Sequence, residues 1–349
     1  MMKYIIYGAY GYTGQLIVEE AIKRGHKPVV AGRDEAKVEE VAARFGLESV
    51  SFRLGNPEEV DRSISEFDLV LHAAGPYSVT APPMVEACLR TKTHYVDITG
   101  EIDTFEFIAA KDNEAKQAGI ILLPGAGFDV VPTDCLAAFL HKQLPNATHL
   151  EMGFQSMSKF SRGTALTMTE SLPKGGMIRQ DGKIRYVKSG YQTRVKERDG
   201  RKISFASIPW GDVSTAFHST GIPNIMLFFG THPKVIKKMK RSNSIRWFLG
   251  LRPVQNHLKR KVRKTVKGPT AEIRETVKSF VWGEVINAKG EKKAAELITL
   301  EGYKLTALTS VETVDRLLTG ALKPGFYTPS KAFGEDYILQ FGNTKRSMI

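Results

Sequence analysis

The sequence predicts an α/β fold: a Rossmann-type doubly wound parallel sheet joined to a second α+β domain built on a mainly antiparallel sheet. Three observations carry that prediction. The first 145 residues alternate short apolar strands with helical patterns, which is the rhythm of a parallel sheet. A glycine triplet, Gly8-Ala-Tyr-Gly11-Tyr-Thr-Gly14, joins the first strand to the first helix. From Thr148 onward the pattern shifts to alternating apolar and polar residues, the period of a half-buried strand.

In chain order, strands are expected at residues 4–7, 29–31, 50–52, 69–72, 95–98 and 120–123, with helices such as 79–90 and 103–118 between them. Residues 134–144 read as a helix leaving that sheet, and Pro145-Asn146 marks a boundary. Beyond it, 149–155, 184–191 and 270–285 read as strands, with a helix over 162–172 among them. Asp199-Gly200 and Lys289-Gly290 have the composition of hairpin turns. Residues 305–318 are again helical. The expected domains are 1–145 for dinucleotide binding, 146–302 for substrate, and 303–349 as C-terminal helices returning to the first domain.

The glycine triplet has a specific physical reading. Gly8 suits the tight strand-to-helix turn, and Gly11 lets a diphosphate approach bare backbone. Gly14 lets the helix pack hard on the strand, while the open amides of the helix N-terminus face the anion. The intervening Tyr10, Tyr12 and Thr13 join the expected cofactor site. The spacing, G-x-x-G-x-x-G, departs from the commoner G-x-G-x-x-G. About 20 residues further on, a site for NAD wants an acid for the ribose 2′-hydroxyl, whereas arginine accommodates a 2′-phosphate. Gly32-Arg33 stands there, with Lys37 one turn beyond. Asp34 is the competing carboxylate, and its alternative role is N-cap of the helix that follows. The expected cofactor is therefore NADP.

Ligands of open parallel sheets bind beyond the carboxyl ends of the strands. The loop after the fourth strand, with Ala74, Gly75, Pro76 and Tyr77, reads either as a cofactor-ribose contact or as a plain turn. After the fifth come Asp97, Gly100 and Glu101, and after the sixth Asp129, with Asp134 beyond. Glu101 and Asp134 are explained as helix caps. Asp97 and Asp129 sit nearest the strand ends and are candidate acid/base groups, or else carboxylates that fix loop geometry.

The runs His94-Tyr-Val-Asp-Ile-Thr-Gly-Glu101, Gly125-Ala-Gly-Phe-Asp-Val-Val-Pro-Thr-Asp134, 209–224 and Tyr327-Thr-Pro-Ser-Lys-Ala-Phe-Gly334 resemble the saccharopine dehydrogenase-like oxidoreductases. The branch they resemble contains the trans-acting enoyl reductases. The resemblance implies an NADP-binding first domain, a mixed second domain and a C-terminal helix that packs back. It implies a reductase acting on an acyl or isoprenoid C=C or on an imine, with lysine-pathway saccharopine chemistry the less expected inheritance. Candidate proton donors, in order, are Asp97, Asp129, Tyr77 and His218, and Trp210-Gly-Asp212 is expected to line the substrate side or to form a tight bend.

Two rival readings are distinguishable. A short-chain dehydrogenase or epimerase would use a Tyr-x-x-x-Lys pair, and the match is Tyr327 to Lys331, interrupted by Pro329. A non-catalytic NADP sensor or membrane-surface scaffold would bind the cofactor without turning it over.

Bulk properties bound the rest. Cys88 and Cys135, with no C-x-x-C, suit a reducing cytoplasm, and eight scattered histidines predict no metal site. The opening strand begins at once, so no signal peptide is expected. Net charge is +13, yet thirteen Lys or Arg and no acid fall between Lys234 and Lys267, leaving 37 of each sign elsewhere. That distribution argues against a nucleic-acid partner. The segment contains Ile245-Arg-Trp-Phe-Leu-Gly-Leu-Arg252, which suits peripheral contact with an anionic membrane surface or, alternatively, a solvated helix face. The expected partners are a small-molecule or lipid-like substrate, that membrane surface, and a second copy of the chain as a homodimer.

Overall fold

The computed structural model describes residues 3–156, 158–198 and 200–349. Its contacts divide the chain into two compact units: 1–131 with 302–332, and 132–301 with 333–349.

The first unit is built on β1 (Tyr4–Tyr7), β2 (Val29–Gly32), β3 (Ser49–Ser51), β4 (Leu69–His72), β5 (His94–Asp97) and β6 (Ile121–Leu123). With a short strand at Gly325–Phe326 they form a parallel sheet in the order 325–326, β6, β5, β4, β1, β2, β3. Every residue of β1, β2 and β4 is buried, as expected of strands covered by helices on both faces. Ile5 pairs with Val29 on one side and with Val70 on the other. The strand order therefore reverses beside β1, and the crevice for a ligand opens where β1 and β4 end.

The helix expected over 103–118 is two helices, Ile102–Ala109 and Asp112–Ala118. The tail also divides. Helix Gly302–Leu318 packs on helix Tyr12–Lys23, where Arg24 bonds Glu312 at 2.8 Å and Asp315 at 3.0 Å. Residues 333–349 instead belong to the second unit, because Lys345–Met348 continues its sheet as an edge strand. The expectation that all of 303–349 returns to the first domain thus applies only to the part before 333.

The second unit contains β7 (Ala147–Ser156), β8 (Gly176–Gln180), β9 (Lys183–Val187), β10 (Thr193–Arg198), β11 (Arg201–Ser207), β12 (Asn224–Gly230), β13 (Lys278–Asn287) and β14 (Lys292–Leu300). Its sheet runs β10, β11, β12, β7, β13, β14, 345–348, with β8 on β12 and β9 on β8. All pairings are antiparallel except β12 with β7. Phe205, Phe228, Phe280 and Trp282 form an aromatic core beneath it. Of the expected turn at Asp199-Gly200, Asp199 lies outside the described residues. The flanking strands pair with Arg198 opposite Arg201.

Alternation over 270–285 predicts a single strand, but its first third is helix Ala271–Thr276. Thr270 caps it, accepting from the Ile273 amide, and Glu272 sits in the first turn. An N-cap oxygen and a helix-favouring acid outweigh a short alternating pattern there.

Candidate cofactor and active site

At the end of β1 the chain turns with Gly8 at φ +92°, a conformation open to glycine and costly for other residues. A Cβ on Gly8 would lie 2.8 Å from both the Ala73 carbonyl carbon and the Ala74 side chain. The loop after β4 therefore closes directly over the turn. A Cβ on Gly14 would come within 2.2 Å of the Gly8 carbonyl oxygen, so helix Tyr12–Lys23 sits against the strand at a distance only glycine permits. Gly11 is the N-cap, with no side-chain cap and no acid in the first turn, so the leading amides stay open to an anion. Thr13 lies within that first turn, and the Tyr12 ring stands edge-on to Tyr303 at 5.1 Å.

An open cavity of about 950 Å³ adjoins this turn, lined by Tyr7, Arg33, Arg53, Leu54 and Thr80 among others. Arg33 and Arg53 are both exposed, and neither makes an ion pair among the described residues. Asp34 also lines the cavity, and its carboxylate is engaged within its own helix. It caps helix Glu35–Phe45 through the Lys37 amide and forms an ion pair with the Lys37 side chain, which holds its carboxyl below the usual range. Lys37 faces a neighbouring depression with Tyr10, Gln15 and Arg44. The Tyr10 ring covers Gly32, where a Cβ would meet it at 2.5 Å.

The far side of the crevice is polar and buried. Asp97, fully buried, accepts from the Thr99 amide at 2.9 Å, the Gly125 amide at 2.8 Å and the Tyr95 hydroxyl at 2.8 Å. Burial pushes its carboxyl up to about 7 against the opposing pull of these donors. The Tyr95 oxygen also lies 3.2 Å from His72 Nδ1. While Asp97 is ionised, the Tyr95 proton goes to it and His72 donates from Nδ1. Burial holds that ring neutral by pushing it down to about 3.

Asp129 is mostly buried, retains some exposed surface, and is pushed up to about 7 by burial. Its carboxylate lies over Gly100, where a Cβ would come within 2.9 Å of Oδ2. Tyr77 donates to the His72 carbonyl at 3.3 Å, and burial followed by Asp97, Glu101 and Asp129 raises its phenol well above the ordinary value. Glu101 accepts from the Tyr77 and Ser78 amides at 2.9 and 2.8 Å. It is a cap, as expected, but of helix Tyr77–Thr91 and not of the helix it precedes.

The structure thus brings Asp97, Asp129 and Tyr77 together at one end of the first sheet, beside the Ala74–Pro76 loop, where the Thr80 hydroxyl donates to the Ala74 carbonyl at 2.6 Å. His218 belongs to the second unit, half-buried on helix Asp212–Thr220. Trp210-Gly-Asp212 leads into that helix, with Trp210 packed on Phe154 at 5.3 Å. Asp134 accepts from Ser219 within the same unit. Tyr327 lies before helix Pro329–Phe333, so it does not share a helix with Lys331 as a short-chain dehydrogenase pair would. Sequence reading missed Arg53, Tyr95 and His72 as site residues. Tyr95 and Asp97, two apart on one strand, share a face, and that spacing was the available signal.

Residues 4–123 match the saccharopine dehydrogenase NADP binding domain. Over those residues the chain is similar to an NADP-binding domain. The glycine turn, the uncapped helix N-terminus and the two unpaired arginines of the cavity fit NADP. A curated relative from Mus musculus, a saccharopine dehydrogenase-like oxidoreductase, is 31% identical over 160 residues, covering 40% of this chain and 37% of that protein. The match therefore spans well under half the length of the mouse relative. The trans-acting enoyl reductase of Mycobacterium leprae is 29% identical over 148 residues, 40% of this chain and 35% of that protein. The apo saccharopine dehydrogenase (L-Glu forming) of Saccharomyces cerevisiae shares the fold at TM-score 0.67 and 14% identity, with both chains covered in full.

Proposed function

We propose that the protein is an NADPH-dependent reductase of a lipid-like C=C bond, acyl or isoprenoid, or of an imine. The observation that carries the reading is Asp129, a near-neutral carboxyl at the sheet end that also holds the glycine turn. NADPH, when bound, supplies the hydride, and reduction of C=C or C=N then needs one proton. A carboxyl near 7 is still partly protonated at neutral pH, so it can deliver that proton without prior uptake. Asp97 serves as a positioning residue. Its three donors tie the 97–101 loop to the Gly125 turn that precedes Asp129. Tyr77, with its phenol kept protonated, lines the same end. The M. leprae relative's activity supports the C=C reading.

The test is NADPH consumption across enoyl, isoprenoid and imine substrates. Turnover on one class is expected, and Asp129→Asn should lower kcat by about 100-fold with KM little changed. NADPH binding without turnover on any class would favour the sensor reading and overturn this one.

The two raised carboxyls also set a stability profile. An unfolded aspartate titrates near about 3.9, whereas Asp97 and Asp129 titrate near 7 in the fold. Between those values the folded state holds protons that the unfolded chain releases. Their contribution to stability therefore falls as pH rises from about 4 to about 7 and is flat above. Urea unfolding of wild type and Asp129→Asn over this range should show a difference that changes below pH 7 and levels off beyond it. A pH-independent difference would refute the shift.

A further inference from the structure

We infer that the basic segment of the second unit is a membrane-docking device: the turn between its two helices inserts at the headgroup level of an anionic phospholipid bilayer, and the flanking cations meet the lipid charge. The segment comprises helix Pro233–Ser242, the turn through Asn243–Ile245 and Arg246–Leu249, and helix Arg252–Thr265. Trp247 is 74% exposed, and Ile245, Phe248 and Leu251 are exposed beside it in sequence. The Trp247 and Phe248 rings lie 6.0 Å apart. Pro173 lies against Gly250, which sets the exposed Leu172 at the edge of the same turn. Large apolar side chains grouped on a surface turn mark a contact, because water alone gives no reason to keep them there.

The cations are arranged to match. In helix Arg252–Thr265 the inner face is Val254, Gln255, Leu258 and Val262, half-buried, while Arg252, Arg260, Lys261, Arg263 and Lys264 are exposed. In helix Pro233–Ser242, Ile236 points inward and Lys234, Lys237, Lys238 and Arg241 are exposed. Among the described residues one cation of the segment, Lys259, has an ion pair, to Glu170 at 2.7 Å. The others have no acid within their own run of sequence and remain available to an anionic partner.

The turn is also held in place. Asn243 accepts from the Ser189 amide at 2.8 Å and donates to its carbonyl at 3.1 Å. Gln255 donates to the Thr169 and Leu249 carbonyls at 3.1 and 2.8 Å. A wedge fixed at both ends loses little freedom on insertion. Indole at the interface with lysine and arginine around it is the composition of interfacial anchors. A nucleic-acid groove would use the cations but has no place for Ile245 and Leu251.

The test uses the full chain with vesicles of phosphatidylcholine alone, or with roughly a third phosphatidylserine, in flotation at low and high salt. Flotation only with phosphatidylserine is expected, reversed by salt. Charge reversal at Arg260, Lys261, Arg263 and Lys264 to Glu should weaken partitioning at least about tenfold. Trp247→Ser with Phe248→Ser should weaken it by about tenfold, with thermal unfolding unchanged because both side chains are exposed. Brominated acyl chains should quench the wild-type tryptophan emission, and Trp247→Phe should remove that quenching. Absence of anionic-lipid dependence would overturn the proposal. So would undiminished binding by the Trp247→Ser, Phe248→Ser variant, or equally tight binding to duplex DNA or RNA at the same salt.

Discussion

Gly14→Ala should abolish detectable NADPH binding and lower the melting temperature of the first unit by roughly 6–12 °C. The added Cβ would lie 2.2 Å from the Gly8 carbonyl oxygen and 3.1 Å from the Ala9 Cα. Neither is the tip of a flexible side chain, so helix Tyr12–Lys23 must move off the strand. Overpacking of this kind costs about 3 kcal/mol, which is a large part of a domain's stability. Function suffers more than stability, because the same shift carries the open amides after Gly11 away from the phosphates. Gly163→Ala is the control: there the nearest atom, Ser161 Oγ, is 3.7 Å from the new Cβ, an ordinary contact. Isothermal titration and thermal unfolding of both variants would decide the matter. Wild-type NADPH affinity in Gly14→Ala would show that the glycine turn is not the phosphate cradle.

The nucleotide half of the site was legible because its constraints are local. Gly8, Gly11 and Gly14 are set by backbone geometry within seven residues, and Arg33 follows from its place just past the end of β2. The ambiguity over Asp34 was legible only as an ambiguity. It took the Lys37 amide and side chain to show that the carboxylate is engaged. The catalytic half depends on contacts between strand ends far apart in sequence. Glu101 reaches back 24 residues to the Tyr77 amide, and Asp97 reaches 28 forward to Gly125. Single-sequence patterns carry no information about such pairings. The same limit misplaced residues 333–349, whose last strand is chosen by the open edge of β14.

Arg33 and Arg53 together should set the preference for NADPH over NADH. Arg33 follows β2 and Arg53 follows β3, adjacent parallel strands in which Gly32 pairs with Ser51. Parallel pairing brings both side chains to one cavity, where neither forms an ion pair among the described residues although Asp34, Glu35 and Glu59 also line it. A 2′-phosphate carries close to two negative charges, and charge-assisted hydrogen bonds to it contribute about 1.5–3 kcal/mol each. Arg33→Ala should therefore raise the dissociation constant for NADPH by about 10- to 100-fold. Arg53→Ala should act in the same direction and less strongly, since Glu59 lines its side of the cavity. NADH has no phosphate at that position, so both variants should bind it as the wild type does. The double variant should then accept the two cofactors almost equally. Because both side chains are exposed, folding is not at stake, and fluorescence titration of the two nicotinamides separates the outcomes. Equal losses for NADPH and NADH would place the arginines on the shared diphosphate instead, and no loss for either would remove them from the site.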